Sequence, residues 1–201
     1  MILYARRKGK EEILMSRNII TNAIKHFNLI NRHRWLVFKL CCKAGIPYRG
    51  LVHDLSKYSF TEFWKSAKYY NGNMSPILFA KKKQGYSKAW LHHKGRNKHH
   101  AEYWFDPMSK RPMPVIPYKY TVEMICDNLA AGMVYNGKRW RKDTQLKYWE
   151  KRKDEMPLNE QNKAMITEAF TQVSINGIDK TINKENLKRL YKKYCEKEEN
   201  K

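Results

Sequence analysis

Apolar residues recur at three- and four-residue spacing early in the chain, where Ile20, Ile24, Phe27, Ile30, Val37 and Leu40 fall on one stripe. That period predicts an amphipathic helix over residues 21–44, with His26 and His33 along the same stripe. Gly45, Pro47 and Gly50 predict its end and the start of a second segment over residues 51–57. Ser59 followed by Glu62 is a capping-box pattern ahead of Phe63, Trp64, Ala67 and Tyr70, so a third helix is expected from about Phe60. Residues 71–76 read as a loop and residues 77–83 as a short basic helix. Ser87 is placed to cap a further helix carrying Ala89, Trp90, Leu91, His92 and His93, which Gly95 and Asn97 interrupt.

Four of the seven prolines fall within residues 106–117, which predicts an extended connection there. Thr121 then precedes Val122, Ile125, Leu129 and Met133, an amphipathic pattern that ends near Gly137. Beyond it the composition turns to Lys, Arg, Glu and Asn, with helical stretches expected over residues 159–173 and 183–196. No segment alternates as a strand would, so the expected class is all-α. The expected organisation is a helical domain over residues 1–137 followed by a basic C-terminal helical appendage over residues 138–201.

Charge narrows the partners. The chain has 201 residues, and 41 Lys and Arg against 19 Asp and Glu leave a formal net charge of +22, beyond what solubility asks of one domain. A phosphate-bearing substrate, a nucleotide or nucleic acid, is the natural counterpart of such a field. No apolar run reaches the length needed to cross a bilayer, and the first ten residues lack the hydrophobic stretch of a secretion signal, so a cytoplasmic protein is expected. Cys41, Cys42, Cys126 and Cys195 show no CxxC spacing and read as reduced, mostly packing thiols.

Candidate chemistry centres on His53-Asp54-Leu55-Ser56-Lys57, where an imidazole and a carboxylate stand side by side. Around it are His33 upstream on the expected buried helix, the four histidines His92, His93, His99 and His100 within nine residues, and Asp127 inside an apolar helix. Imidazole and carboxylate are ligands suited to zinc, manganese, iron and similar divalent ions. The dense histidine cluster points to metal binding, since a metal compensates the burial of such groups. His26, alone on an apolar face, is expected to be a satisfied core residue.

These residues resemble the HD superfamily, named for its sequential His, His-Asp and Asp ligands, and the HDLSK string looks like the HD-x-x-K form of many of its phosphohydrolases. The resemblance implies an HD-domain-like helical bundle holding one or two divalent metal ions. His33 would be the first ligand, His53 and Asp54 the central pair and Asp127 the last. One of His92 and His93 with one of His99 and His100 would complete a two-metal site. Asp54 and Lys57 would be the catalytic residues, with Lys57 meeting a substrate phosphate. A second resemblance, carried by the segments around His33 and His53 and by GYSKAWLHHKGRNKHHAEYW, is to a family of small bacterial and phage proteins catalogued as a domain of unknown function and sometimes labelled catalase. No haem-binding signature accompanies that label here.

Trp140 and Trp149 stand among Lys138, Arg139, Arg141, Lys142, Lys151 and Arg152, a mixture that suits a nucleic-acid groove, whereas Trp90 and Trp104 are expected in the core. The function expected is a metal-dependent phosphohydrolase or phosphodiesterase acting on a nucleotide or nucleic acid. The alternatives are a di-iron oxygenase of the HD type and a nucleic-acid-binding module with a structural metal.

Overall fold

The computed structural model describes residues 2–70, 72 and 74–196, with the backbone alone over residues 2–18. Helices α1 (Ile2–Lys43), α2 (Pro47–Val52), α3 (Phe60–Lys68), α4 (Pro76–Gln84), α5 (Lys88–Lys94) and α6 (Ala101–Trp104) precede the proline-rich connection. After it come α7 (Tyr118–Asn136), α8 (Thr144–Glu150), α9 (Glu160–Asn176), α10 (Ile178–Thr181) and α11 (Lys184–Cys195). No strand occurs among the described residues, and the class is all-α. None of the described helices is long and apolar enough to cross a membrane. Within the expected 71–76 loop, Asn71 and Asn73 lie outside the described residues, and Pro76 already begins α4.

Local chemistry explains most boundaries. At the end of α1, Gly45 takes a left-handed φ of +75° while the Ile46 amide bonds the Cys41 carbonyl at 2.9 Å, closing the last turn. Pro47 then opens α2, where its missing N–H costs nothing. Ser59 and Ser87 accept the amides of Glu62 and Trp90 and so cap α3 and α5. Asn159 and Asn183 do the same for α9 and α11. Gly50 does not break the chain as its type suggests. It is buried inside α2, where an added Cβ would stand 2.7 Å from the Cys41 Cβ and 2.9 Å from the Phe38 Cα.

The chain divides into two compact units, one of Met1–Asn31 with Leu55–His93 and one of Arg32–Asp54 with Lys94–Lys201. In the first, His26 packs between Phe63 and Tyr70, and Phe27 meets Tyr58 and Phe63 edge-on. Burial, with the charge of Lys57 second, lowers the His26 pKa to about 4, and its Nδ1 has no hydrogen-bond partner. His26 is thus a core residue, held neutral rather than satisfied.

The second unit holds the main hydrophobic core. Val37, Leu40 and Cys41 of α1 join Ile125, Cys126 and Leu129 of α7, Phe170 of α9 and Leu187 of α11 in one cluster. α9 packs against α7, α8, α10 and α11. Residues 138–196, the described part of the segment read from composition as an appendage, therefore supply a large share of that core. Met165, Ile166, Ala169, Phe170 and Val173 lie on one face of α9, and the lysines around them obscure that stripe in the overall composition. Trp149 is among the residues this places inside. It is 1% exposed, its Nε1 donates to Thr167 Oγ1 at 2.8 Å and its ring meets Phe170 edge-on, so it is not a base-stacking surface. Trp104 packs on the margin of the core and Trp90 is half-buried.

The close approach of α2 to α1 gives a direct test. Gly50→Ala should destabilise the protein by about 1–3 kcal/mol through overpacking, a fall in Tm of roughly 2–10 °C for a chain of this size. Thermal denaturation followed by circular dichroism reads it, and an unchanged Tm would mean that the two helices separate at no cost.

Candidate metal centre

The His53-Asp54 pair sits where α2 ends. His53 leaves the helix with φ −53° and ψ 128°, and Asp54 follows with φ +54°, the one non-glycine residue in the left-handed region among the described residues. Aspartate enters that region more readily than most side chains because its short polar group bonds locally. Arg34 fixes the turn from α1, its Nε donating to the His53 carbonyl and its Nη2 to the Leu51 carbonyl, each at 2.7 Å. The neighbour of Arg34 on α1 is His33. Glu123 and Asp127 stand four residues apart on α7 and so share one face. His99 and His100 precede α6, and the His100 amide bonds the Asn97 carbonyl at 3.1 Å.

These elements bring His33, His53, Asp54 and Asp127 together, as the sequence led one to expect, each offering a donor atom within 4.8 Å of the others. His33 Nε2 lies 2.9 Å from Asp127 Oδ1 and 4.0 Å from Asp54 Oδ2. His53 Nε2 lies 3.2 Å from Asp54 Oδ2, 3.4 Å from His33 Nε2 and 3.5 Å from Asp127 Oδ1. Ligands held about 2 Å from a common ion stand roughly 3–4 Å from one another, so this set has the dimensions of one coordination sphere. Asp54 turns its other oxygen elsewhere, with Oδ1 3.4 Å from His99 Nε2. Asp54, His99 and His100 also offer donors within 4.8 Å of one another. One carboxylate thus faces two groups of imidazoles, and the donor chemistry fits divalent zinc, manganese or iron.

The cluster is buried, and its charges are coupled. Burial pushes the His53 ring toward neutrality, but the Asp54 charge and hydrogen bonds to Asp127, Asp54 and Glu123 outweigh it and raise its pKa well above the ordinary histidine value. Burial likewise opposes ionisation of Asp127, yet bonds to His33 and His53 and the charges of those rings hold its pKa well below the usual range. For Glu123, bonds to His53 and His99, the His99 charge and Arg49 overcome burial and bring the pKa to about 2. Side chains of His53, Asp54, His99 and Glu123 are at most 1% exposed, whereas His33 is 10% and Asp127 17% exposed, so solvent reaches the group from that side.

His92 and His93 belong to the other unit and meet there on a buried carboxylate. Glu62 accepts His92 Nδ1 at 2.5 Å on one oxygen and His93 Nδ1 at 2.8 Å on the other, while Ser56 Oγ lies 3.3 Å from His93 Nδ1. Burial raises the Glu62 pKa less than these bonds and the His93 charge lower it. The capping-box glutamate of α3 is therefore turned to the histidines, and Ser59 alone serves as the cap. Lys57 lies in the 3-10 turn Leu55–Tyr58 of that unit, where its charge acts on His26.

Lys138, Arg139, Arg141, Lys142, Lys151 and Arg152 are all exposed. Part of their bonding capacity is used locally: Arg141 Nη1 donates to the Lys138 and Trp140 carbonyls, Lys142 Nζ to the Ile175 carbonyl and Arg152 Nη1 to the Tyr148 hydroxyl. The exposed aromatic beside them is Tyr148, with the Arg152 guanidinium 5.7 Å from its ring centre.

Sequence reasoning passed over Glu123, Glu62, Arg34 and Arg49. For Glu123 the signal was present, since a glutamate four residues before Asp127 on an otherwise apolar helix must share its face. Glu62 was hidden by its fit to a capping motif.

Residues 22–172 match the family of unknown function DUF5662, and the chain belongs to that family. No curated protein and no solved structure matches it.

The raised His53 pKa sets a pH dependence. The protonated ring contributes stability that is complete below its unfolded pKa near ~6.5 and is lost as pH rises through the raised folded value. A cation requires the neutral ring, so ion and proton compete. The increase in Tm caused by added Zn²⁺ should therefore grow as pH rises from the ordinary histidine value toward the raised one, while the metal-free protein loses the His53 contribution. Asp54→Asn, which tolerates the left-handed backbone, should abolish most of the Zn²⁺ shift and leave the circular dichroism spectrum unchanged. A shift independent of pH, or retained in full by Asp54→Asn, would contradict the ligand assignment.

Proposed function

We propose that this member of a family of unknown function is a metal-dependent phosphohydrolase of the HD type acting on a nucleotide or nucleic acid. The observation that carries the reading is the placement of Asp54, whose Oδ2 faces His33 and His53 while its Oδ1 faces His99. A carboxylate with its two oxygens turned to separate sets of donors is suited to bridging two ions. His33, His53 and Asp127 would hold one of them. His99 and His100 would serve the second.

Two divalent ions bound there would polarise a phosphoryl group and make water a stronger nucleophile. The chain supplies the remainder. Asp127 and His33 form the solvent-facing side, through which a substrate phosphate would approach. His53 and Asp54 are fixed by the Arg34 clamp, so the donor set is preorganised. The net charge of +22 favours a polyanionic substrate over a neutral one. The exposed Lys138, Arg139, Arg141, Lys142, Lys151 and Arg152 would add affinity for its phosphates.

Hydrolysis of a panel of nucleotides, phosphodiesters and single- and double-stranded nucleic acid by protein loaded with Zn²⁺, Mn²⁺ or Fe²⁺ tests the reading. Metal-dependent cleavage of a phosphate ester or anhydride bond is expected, with Asp54→Asn lowering it by at least about 100-fold, since removal even of a group behind the ligands costs 10- to 100-fold. Two bound irons with dioxygen consumption and no such cleavage would move the assignment to the HD-type di-iron oxygenases. Nucleic-acid binding should weaken steeply with salt, and each phosphate contact removed by reversing one of the six basic residues should flatten the logarithmic slope by about 0.9 on duplex DNA. Weak binding that charge reversal leaves unchanged would leave a small phosphorylated substrate in place of a polymer.

A further inference from the structure

Glu123 is fully buried in the middle of α7, and its partners come from two other parts of the chain, α2 with its C-terminal turn and the segment ahead of α6. Its Oε1 lies 3.0 Å from Nδ1 of His53, at the end of α2, and 3.2 Å from Nδ1 of His99, ahead of α6. Its Oε2 accepts Arg49 Nε of α2 at 2.7 Å. Bonded to the Arg49 guanidinium, the carboxylate acts as the acceptor toward the rings, and the His53 ring presents a proton at Nδ1. The opposite nitrogens of the same two rings face the two oxygens of Asp54, His53 Nε2 at 3.2 Å from Oδ2 and His99 Nε2 at 3.4 Å from Oδ1.

We propose that Glu123 is the shared positioning residue of a two-ion centre, orienting through one oxygen one imidazole of each ion position, so that the two positions fill together. The proposal rests on the metal-binding reading of the Asp54 cluster. It assigns Arg49 a part as well: the guanidinium occupies Oε2, leaving Oε1 to serve both rings. His53, His99 and Glu123 also offer donors within 4.8 Å of one another, but the Arg49 cation on Glu123 opposes a metal cation at that carboxylate. Glu123 is therefore read as acting behind the ligands, a role in which a carboxylate fixes the histidine tautomer and raises its basicity.

Zn²⁺ titration of the chelator-stripped full chain tests this, with bound metal counted by elemental analysis. The wild type should take up two equivalents in one transition. Glu123→Gln should weaken both equivalents by about 10- to 100-fold. Because that variant strands the Arg49 charge and loses stability on that account alone, Glu123→Gln/Arg49→Met is measured beside it. The double variant should regain thermal stability without regaining affinity. In the Zn²⁺-loaded wild type, ¹⁵N imidazole shifts should place protons on Nδ1 of both His53 and His99. Loss of one equivalent with the other at wild-type affinity, wild-type affinity in the double variant, or protons on Nε2 of these rings would each overturn the proposal. A wild type that binds no Zn²⁺, Mn²⁺ or Fe²⁺ would instead overturn the metal-binding reading beneath it.

Discussion

Three carboxylates, Asp54, Glu123 and Asp127, are gathered with His33, His53 and His99 where little water reaches, and the rest of the second unit is arranged around balancing that charge. An isolated buried carboxylate costs several kcal/mol or more, on the order of the whole stability of a domain. The imidazoles and Arg49 offset it: Glu123 and Asp127 stay ionised because ring nitrogens and a guanidinium bond them, and His53 is drawn toward its cationic form by the same contacts. A divalent cation would take over that balancing role, with His53 giving up its proton. The cluster is thus one electrostatic unit in which His53, Glu123 and Asp127 all depart from their ordinary pKa values.

That unit depends on backbone placement as much as on side chains. Gly50 lets α2 lie against Cys41 and Phe38 at a distance no other residue allows, and this sets where α2 ends. The end is His53, and the left-handed Asp54 that follows turns its carboxylate back toward the rings. A strained backbone at a ligand candidate is a recurrent mark of functional sites, because only there does the surrounding structure repay it. Arg34 does so here by bonding two carbonyls of the turn, from the position next to His33 on α1.

The other unit repeats the same chemistry with different residues. Glu62, nearly as buried as Glu123, holds His92 and His93 through their Nδ1 atoms, one to each oxygen. In both units a buried glutamate inside a helix faces Nδ1 of two histidines.

Periodicity, caps and breakers were enough to read the helical class, the starts of α3, α5, α9 and α11 and the proline-rich connection, because these depend on neighbours within a few residues. The ligand candidates His33, His53, Asp54 and Asp127 were legible for a related reason: polar groups of that type on apolar helical faces need a compensating partner. The short helices α6, α8 and α10 were missed, being too brief to show a period. Gly50 read as a breaker because its close contact with α1 is invisible along the chain. Trp149 read as part of a basic groove, and α9 as part of an appendage, because composition averages over a helix whose one apolar face goes to the core. Glu62 became distinguishable from an ordinary capping glutamate only once folding placed imidazoles from a distant segment beside it. The donor types and their helices were thus set by sequence, but which oxygen faces which ring was decided by tertiary packing, since bonding over 20 to 70 residues of separation leaves no trace in local pattern.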